Sequence, residues 1–326
     1  MPFASFDAMG REDNILKING LAINLGGTII IEDVSLVVKE GEILGIVGVS
    51  GAGKTSLLNA IIGYYPVVAG SVLYNSLRKR SFVSILEKID DFKGLFGFSA
   101  QNPSFYPELS VIENLEYFAN LYNLPIDIKK QNIGRALKLV RLEEFTKIPA
   151  KNLSGGMKKR LDIACAIVHY PKILILDEPT SDMDPLLRVQ IWGLIEDINK
   201  SGTTIIVASH FLSEVEHVCD RFAFLHKKRI EFIGTPSEFR NLNIKTKEVH
   251  ITAKDGMYDL VLKRVMSMPF LEVKQILKKR GRIIIHSSDE RNLNSALSRL
   301  MSYQNVSNIE IRNPSMDMLF RVFMEK

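Results

Sequence analysis

The stretch GEILGIVGVSGAGKTS (41–56) carries a strand-like apolar run, then Gly48, Val49, Ser50, Gly51, Ala52, Gly53, Lys54, Thr55 and Ser56, then the helical run SLLNAII. Glycines in such a loop let backbone N–H groups turn inward on a chain of phosphates, and the helix behind it adds its positive end. Lys54 would reach the β- and γ-phosphates of a nucleoside triphosphate, and Thr55 would offer its hydroxyl to Mg²⁺. Chemistry on that phosphate chain further needs an acid to hold the metal and a group to position water. KILILDEPTSD (172–182) supplies both, because its apolar strand ends in Asp177 and Glu178. Asp177 is expected to hold Mg²⁺ through water, and Glu178 to stand beside the γ-phosphate as general base or water-orienting group. TTIIVAS (203–209) ends at His210, whose imidazole would fall on the ligand-binding edge of an open α/β sheet and hydrogen-bond the γ-phosphate.

About a hundred residues after the first glycine turn comes a second, Leu153, Ser154, Gly155, Gly156 and Met157, followed by the amphipathic KKRLDIACAIV. It reads as another helix N-terminus with close-approach glycines, hence another anion site. One nucleotide's phosphates are already served by the first loop. The economical reading is that the second turn meets a nucleotide held by a different subunit, which makes the nucleotide part of a dimer interface.

The elements around these residues follow from periodicity. NILKINGLAIN and TIIIEDVSLVV alternate as strands of a small antiparallel layer, and residues 1–13 read as a loose end. Between Gln101 and Leu153 the pattern is helical: SVIENLEYFANLY puts Val111, Leu115 and Phe118 on one face, and IGRALKLV does the same for Ile133, Leu137 and Val140. Cys165 and Cys219 lack metal-ligand spacing and read as packing residues in a reducing compartment. His169, His217, His226, His250 and His286 lack the placement of His210. No apolar run approaches the roughly 18 residues of a membrane span, and MPFASFDAMGREDN has no leader character, so the chain reads as cytosolic.

Taken together, the chain resembles the ATP-binding cassette family over roughly residues 14–240. LSGGM (153–157) is similar to that family's signature, with Met157 where glutamine is commonest, and GVSGAGKT, LILDE, SDMD and SH follow in the family's order. The resemblance implies a phosphate-loop NTPase cassette: a mixed sheet, an antiparallel layer and a helical subdomain at about 102–152. It implies that Gln101 contacts the metal and senses a partner, that Asp184 links the two sites of a dimer, and that the surface near Gln101 docks on a membrane subunit. Leu25 stands where an aromatic usually stacks on adenine, and Asp182 where a glycine is common. The implied protein binds ATP and Mg²⁺, hydrolyses ATP as a head-to-tail dimer with a second cassette subunit, identical or different, and drives a separate membrane permease, an exporter, from the inner face of the cell membrane. No nucleic-acid partner is expected. A soluble cassette ATPase working on ribosomes or DNA, and a non-hydrolysing regulatory module, are the other classes considered.

Past RIEFIGTPSEF (229–239) a second pattern begins. KEVHITA, YDLVLKRVMSM, FLEVKQIL, GRIIIHS, RNLNSALSRLM and NVSNIEIRN read as strand, helix, strand, strand, helix, strand, a ferredoxin-like α+β domain over 245–326. A terminal helix would follow, with Met316, Met318, Leu319 and Phe323 as packing residues. Residues 241–326 hold 15 Lys and Arg against 9 Asp and Glu, net +6, whereas 1–240 hold 27 against 28. No aromatics interleave with these charges, so the basic excess reads as a solvated face rather than a nucleic-acid surface. The layout resembles the accessory domain of drug- and polysaccharide-export cassette ATPases.

Overall fold

The computed structural model describes residues 14–76, 81–85, 92–242, 247–268, 272–277, 282–287, 297–301 and 303–324. Chain packing divides it into two compact units, Met1–Thr235 and Pro236–Lys326. The division falls slightly before the expected end of the cassette at 240. Helix α7 (Pro236–Leu242) packs in the second unit, where Phe239 meets the Phe323 ring at 5.5 Å and Arg240 donates to the Pro314 carbonyl.

Alternation shapes the first strands. β1 (Asn14–Leu25) and β2 (Thr28–Lys39) pair antiparallel, turning Leu16, Ile18, Leu21 and Ile23 of one and Ile31, Val34, Leu36 and Val38 of the other into the core. The hairpin closes through Gly26 and Gly27, at φ of 59° and 83°, the double positive φ that matches strand twist in a two-residue turn. β4 (Ala69–Ser76) and β5 (Ser81–Ser84), whose sequences lack a marked alternation, complete the layer in the order β2-β1-β4-β5.

The central sheet follows a different rule. β3 (Ile43–Val47), β7 (Ile173–Asp177) and β8 (Thr204–Ser209) are buried at every position, which is why their apolar residues run on without alternating. With β6 (Phe96–Ser99), β9 (Arg221–His226) and β10 (Arg229–Gly234) they form one sheet of order β10-β9-β3-β8-β7-β6. Its strands run parallel except for the β9–β10 hairpin. Helix α1 (Lys54–Ile61) contributes Leu57, Leu58 and Ile61 to a single core shared by both sheets.

Helices α2 (Val111–Leu121), α3 (Ile126–Val140) and α4 (Gly155–Ile167) occupy the region between Gln101 and β7. α2 starts in a capping box in which Glu113 N–H donates to Ser110 Oγ and Ser110 N–H to Glu113 Oε2. Val111, Leu115, Ile133, Leu137 and Val140 are buried as their spacing predicts, while Phe118 is half-buried with its edge on Tyr117. Cys165 and Cys219 are buried packing residues, and burial pushes both thiols up. α5 (Pro185–Lys200) follows β7, and α6 (Leu212–Val218) follows β8.

His169 also packs rather than binds. Its ring lies flat on Tyr122 at 3.5 Å and its Nε2–H donates to the Phe96 carbonyl. Burial lowers its pKa from 6.5 to about 4, against a smaller opposing effect of that hydrogen bond. Between those values the unfolded chain binds the proton that the folded chain refuses. Stability therefore rises as pH climbs from about 4 to 6.5 and is fully regained above it, by on the order of 3 kcal/mol. Urea unfolding at pH 5 and pH 7 checks this: His169→Gln is expected to flatten the difference, and an unchanged difference would refute the assignment.

The second unit pairs β11 (Lys247–Ala253), β12 (Glu272–Leu277), β13 (Arg282–Ser287) and β14 (Val306–Arg312) antiparallel in the order β12-β13-β11-β14. Val261 and Val265 of α8 (Tyr258–Met266) share a core with Val249, Ile251, Ile283, Ile285, Leu297 and Leu300. This is the ferredoxin-like arrangement its pattern predicts. Residues 297–301 are helical, and the start of that expected helix lies outside the described residues. Met316, Met318 and Leu319 of α9 (Met316–Met324) are buried. Among the described residues no helix is long and apolar enough to cross a membrane.

Candidate active site

Strand order converts distant sequence motifs into neighbours. β3, β8, β7 and β6 are adjacent and parallel, so Lys54, His210, Asp177 with Glu178, and Gln101 all leave the carboxyl edge of one sheet, where ligands bind in such folds. Register fixes the last of these: Ser99 pairs with Leu176, one residue before Asp177. Gln101 follows two residues later and is exposed.

The phosphate loop is shaped by close approach. A Cβ on Gly48 would lie 2.5 Å from the Leu225 carbonyl oxygen, and Gly53 holds φ 102° as it enters α1 without a side-chain cap. The helix thus begins with unclaimed N–H groups and no acid in its first turn, the arrangement that favours an anion. Val49, Ser50, Gly51 and Thr55 are exposed along the loop, with Ala52, Gly53 and Ser56 half-buried.

Lys54 is buried, donating to the Gly48 and Val49 carbonyls at 2.9 and 3.3 Å and pairing with Glu178 Oε1 at 3.1 Å. The other oxygen of Glu178 meets His210 Nδ1 at 2.7 Å. A carboxylate only accepts, so Nδ1 carries the proton in that bond. One carboxylate therefore joins the loop lysine to the strand-end histidine. Glu178 adopts φ 49° while its N–H donates to the Ala208 carbonyl. That left-handed backbone turns its side chain out of the strand's alternation, a strain of the kind held at functional sites.

Asp177 differs in character. It is 1% exposed, and its Oδ1 has no hydrogen-bond partner. Burial raises its carboxyl pKa above the usual range; a hydrogen bond from Thr55 pulls it down, and the neighbouring Glu178 adds to the rise. A buried, half-satisfied carboxylate beside a threonine hydroxyl suits a hard divalent cation, which takes oxygen ligands.

The second glycine turn opens outward. Ser154 caps α4, its Oγ accepting from Met157 N–H, and Leu153 is buried. The two glycines serve different ends. A Cβ on Gly156 would lie 2.8 Å from Leu187 Cδ2 of α5, so this glycine permits packing within the chain, whereas Gly155 faces open space. Among the described residues no hydrogen bond or ion pair joins this turn to the phosphate loop. Asp184 caps α5, its Oδ1 accepting from Leu186 and Leu187 N–H at 2.9 and 3.0 Å. Asp182 takes φ 58°, which explains the preference for glycine at such a position. Leu25 is half-buried against the core beneath the hairpin tip.

Sequence reading missed two polar networks. Lys159 and Asp162 of α4 are 6% and 2% exposed and pair at 3.4 Å. Lys159 also donates to Ser99 Oγ and the Ala100 carbonyl, and Asp162 accepts from Ser99 Oγ and from Ser104 N–H. The loop bearing Gln101 is thus bound on both flanks to the helix of the second turn. A signal existed: these charges interrupt the apolar face that Gly156, Ile163 and Ala166 define. The second network, around Glu214, has no local signal. Beyond Gln101, Tyr106, Pro107, Leu109 and Tyr117 line an apolar hollow of about 300 Å³, with the two tyrosine hydroxyls 3.0 Å apart.

A glycine loop feeding a helix, an acid pair one strand beyond its neighbour and a histidine between them define a phosphate-loop nucleoside-triphosphatase. The profile of the family described as ABC transporter matches residues 31–181. The uncharacterized ABC transporter ATP-binding protein YdbJ of Bacillus subtilis (strain 168) is 36% identical over 219 residues, 67% of this chain and 68% of that one. The chain belongs to the ABC transporter family and is an ATP-binding, ATP-hydrolysing subunit. The linearmycin resistance ATP-binding protein LnrL of the same organism is 28% identical over 297 residues, covering 90% of this chain and 93% of its own, so that likeness extends through the second unit. The Nod factor export ATP-binding protein I of Ralstonia nicotianae (strain ATCC BAA-1114 / GMI1000) is 29% identical over 74% of this chain and 73% of its own. Among solved structures, cbiO1 from Clostridium perfringens, part of the ABC transporter complex cbiONQ, matches with a TM-score of 0.63 and 31% identity, covering 72% of this chain and 96% of its own.

Proposed function

We propose that this chain works as a head-to-tail pair that clamps two ATP molecules and drives a separate membrane permease in the export direction. The observation that carries the pairing is the outward-facing turn at Ser154 and Gly155, a capped helix start with open space at Gly155. Beside it, Leu186 and Val189 on the first turns of α5 are each 69% exposed, an apolar patch next to Asp184 that a second copy would cover. The hollow at Tyr106 and Tyr117, adjoining the Gln101 loop, is the surface assigned to the permease. LnrL and the Nod factor protein are named for resistance and export, which supports the direction. Relatives that are transporter subunits favour transport over work on ribosomes or DNA.

In this reading Thr55, Asp177 and Gln101 would hold Mg²⁺, which neutralises charge on the β- and γ-phosphates. Lys54 stabilises the same charge from the loop. Glu178 accepts the proton of the attacking water, and His210, held by its Nδ1–H bond to Glu178, presents its other face to the γ-phosphate. The work is positioning and charge stabilisation rather than covalent chemistry. Closure around ATP favours one conformation over the other, and that difference is what moves the permease.

Ser154→Arg tests the pairing. ATP-dependent dimerisation is expected to weaken by at least about tenfold, equivalent to about 1.4 kcal/mol, with nucleotide affinity of the monomer unchanged. Sedimentation with and without ATP, beside nucleotide titration, reads both quantities; equal loss of the two would overturn the shared site.

A further inference from the structure

Glu214 lies in the first turn of α6, four residues past His210, outside every motif that identifies the site. Its carboxylate nonetheless gathers donors from both sides. Oε2 accepts from the Thr180 hydroxyl at 2.7 Å and from the indole N–H of Trp192 at 2.9 Å, while Oε1 accepts from Arg188 at 3.0 Å. Arg188 in turn donates its Nε–H to the Met183 carbonyl at 2.9 Å and lays its guanidinium over the Phe211 ring at 4.2 Å. Phe211 adjoins His210, with ring centroids 3.9 Å apart.

These contacts have a common geometry. Thr180 and Met183 belong to the turn that runs from Glu178 to Asp184, and Phe211 and Glu214 belong to the segment that carries His210. Glu214 and Arg188 lace the two together. Thr180 is 1% exposed and the side chain of Glu214 is 14% exposed, so the hydrogen bonds act where water competes weakly. The turn leads directly into the exposed Leu186 and Val189, and a continuous run of side-chain contacts, Arg188 to Phe211 to His210, joins that surface to the site.

We propose that Glu214 is a positioning residue: through Thr180 and Arg188 it holds His210 against Glu178 and makes that alignment respond to the partner subunit's approach at 182–189. The proposal rests on the dimeric reading above. Trp192 is the chain's single tryptophan, and its indole N–H is bonded to this carboxylate, so its fluorescence reports the network without a label.

The test is a double-mutant cycle in the full-length chain with MgATP, reading kcat and KM in steady state and the chemical step in single turnover. Misplacement of a reacting group by about 1 Å costs up to about a hundredfold. Glu214→Ala is therefore expected to lower kcat at least about tenfold, with KM changed less than about twofold. In a His210→Ala background the same substitution is expected to cost less than about twofold, because the residue through which it acts is gone. Equal factors in the two backgrounds, or an unchanged kcat, would overturn the proposal. If Glu214→Ala fails to fold, the isosteric Glu214→Gln and Arg188→Met carry the same cycle. MgATP should shift Trp192 emission in the unmodified chain and not in Ser154→Arg; a full shift in that variant would remove the link to the partner. Sedimentation of Ser154→Arg reads the pairing and the cycle at His210, run where the parent and each variant sediment as pairs with MgATP, reads the positioning role, so failure of one and failure of the other give different results.

Discussion

Replacing Glu178 with glutamine is expected to leave ATP binding intact and to lower turnover by about 10²–10⁴-fold, the range for loss of a general base. The substitution preserves shape and can still accept from His210 Nδ1, which lies 2.7 Å from Oε2. What it removes is the charge and the basic oxygen. Lys54 loses its 3.1 Å ion pair but keeps its hydrogen bonds to the Gly48 and Val49 carbonyls, so the loop retains its cation for phosphates. Nucleotide titration and steady-state hydrolysis on the same preparation separate the two effects. Unchanged turnover would remove Glu178 from the mechanism, and loss of binding in step with turnover would make it a structural anchor of the loop.

The parts of this site that could be read from sequence are those whose physics is local. A loop of glycines before a helix, and apolar runs ending in Asp177, Glu178 or His210, announce themselves because strand burial and helix-terminus electrostatics act over a few residues. Strand order does the rest, and it cannot be read from one motif: His210 reaches Glu178 because β8 lies between β3 and β7. The backbone conditions were partly hidden. Glu178 and Asp182 adopt φ of 49° and 58°; an aspartate where glycine is common hints at a left-handed residue at 182, but nothing in the side-chain type of Glu178 signals one. Gly155 and Gly156 look equivalent in sequence, yet only Gly156 has a neighbour, Leu187 from the next helix, that a Cβ would strike. The networks of Lys159 with Asp162 and of Glu214 with Arg188 join segments up to about sixty positions apart, and pairings at that range leave no periodic trace. The second unit was legible in outline because its alternating strands and amphipathic helix repeat the local rule.

The buried pair in α4 gives the second large expected effect, and its sign is unusual. Asp162→Ala is expected to destabilise the fold by about 3–5 kcal/mol, the cost of breaking a buried ion pair from one side. It leaves the Lys159 ammonium, 6% exposed, without its carboxylate, and strips an acceptor from Ser99 Oγ and Ser104 N–H. Adding Lys159→Met should then raise stability by at least about 1 kcal/mol relative to the single variant, because the stranded charge is gone. Recovery stays partial, since the serine donors still lack a partner and each unmade buried hydrogen bond costs about 1–3 kcal/mol. Urea unfolding of the parent, the single and the double variant reads the order directly. A double variant less stable than Asp162→Ala would mean that Lys159 stabilises the fold on its own, through Ser99 and Ala100, and that the pair is not the unit. Because Ser99 and Ser104 flank Gln101, the double variant should also loosen that loop, seen as faster hydrogen exchange across 99–104 while the phosphate loop at 48–56 is unchanged.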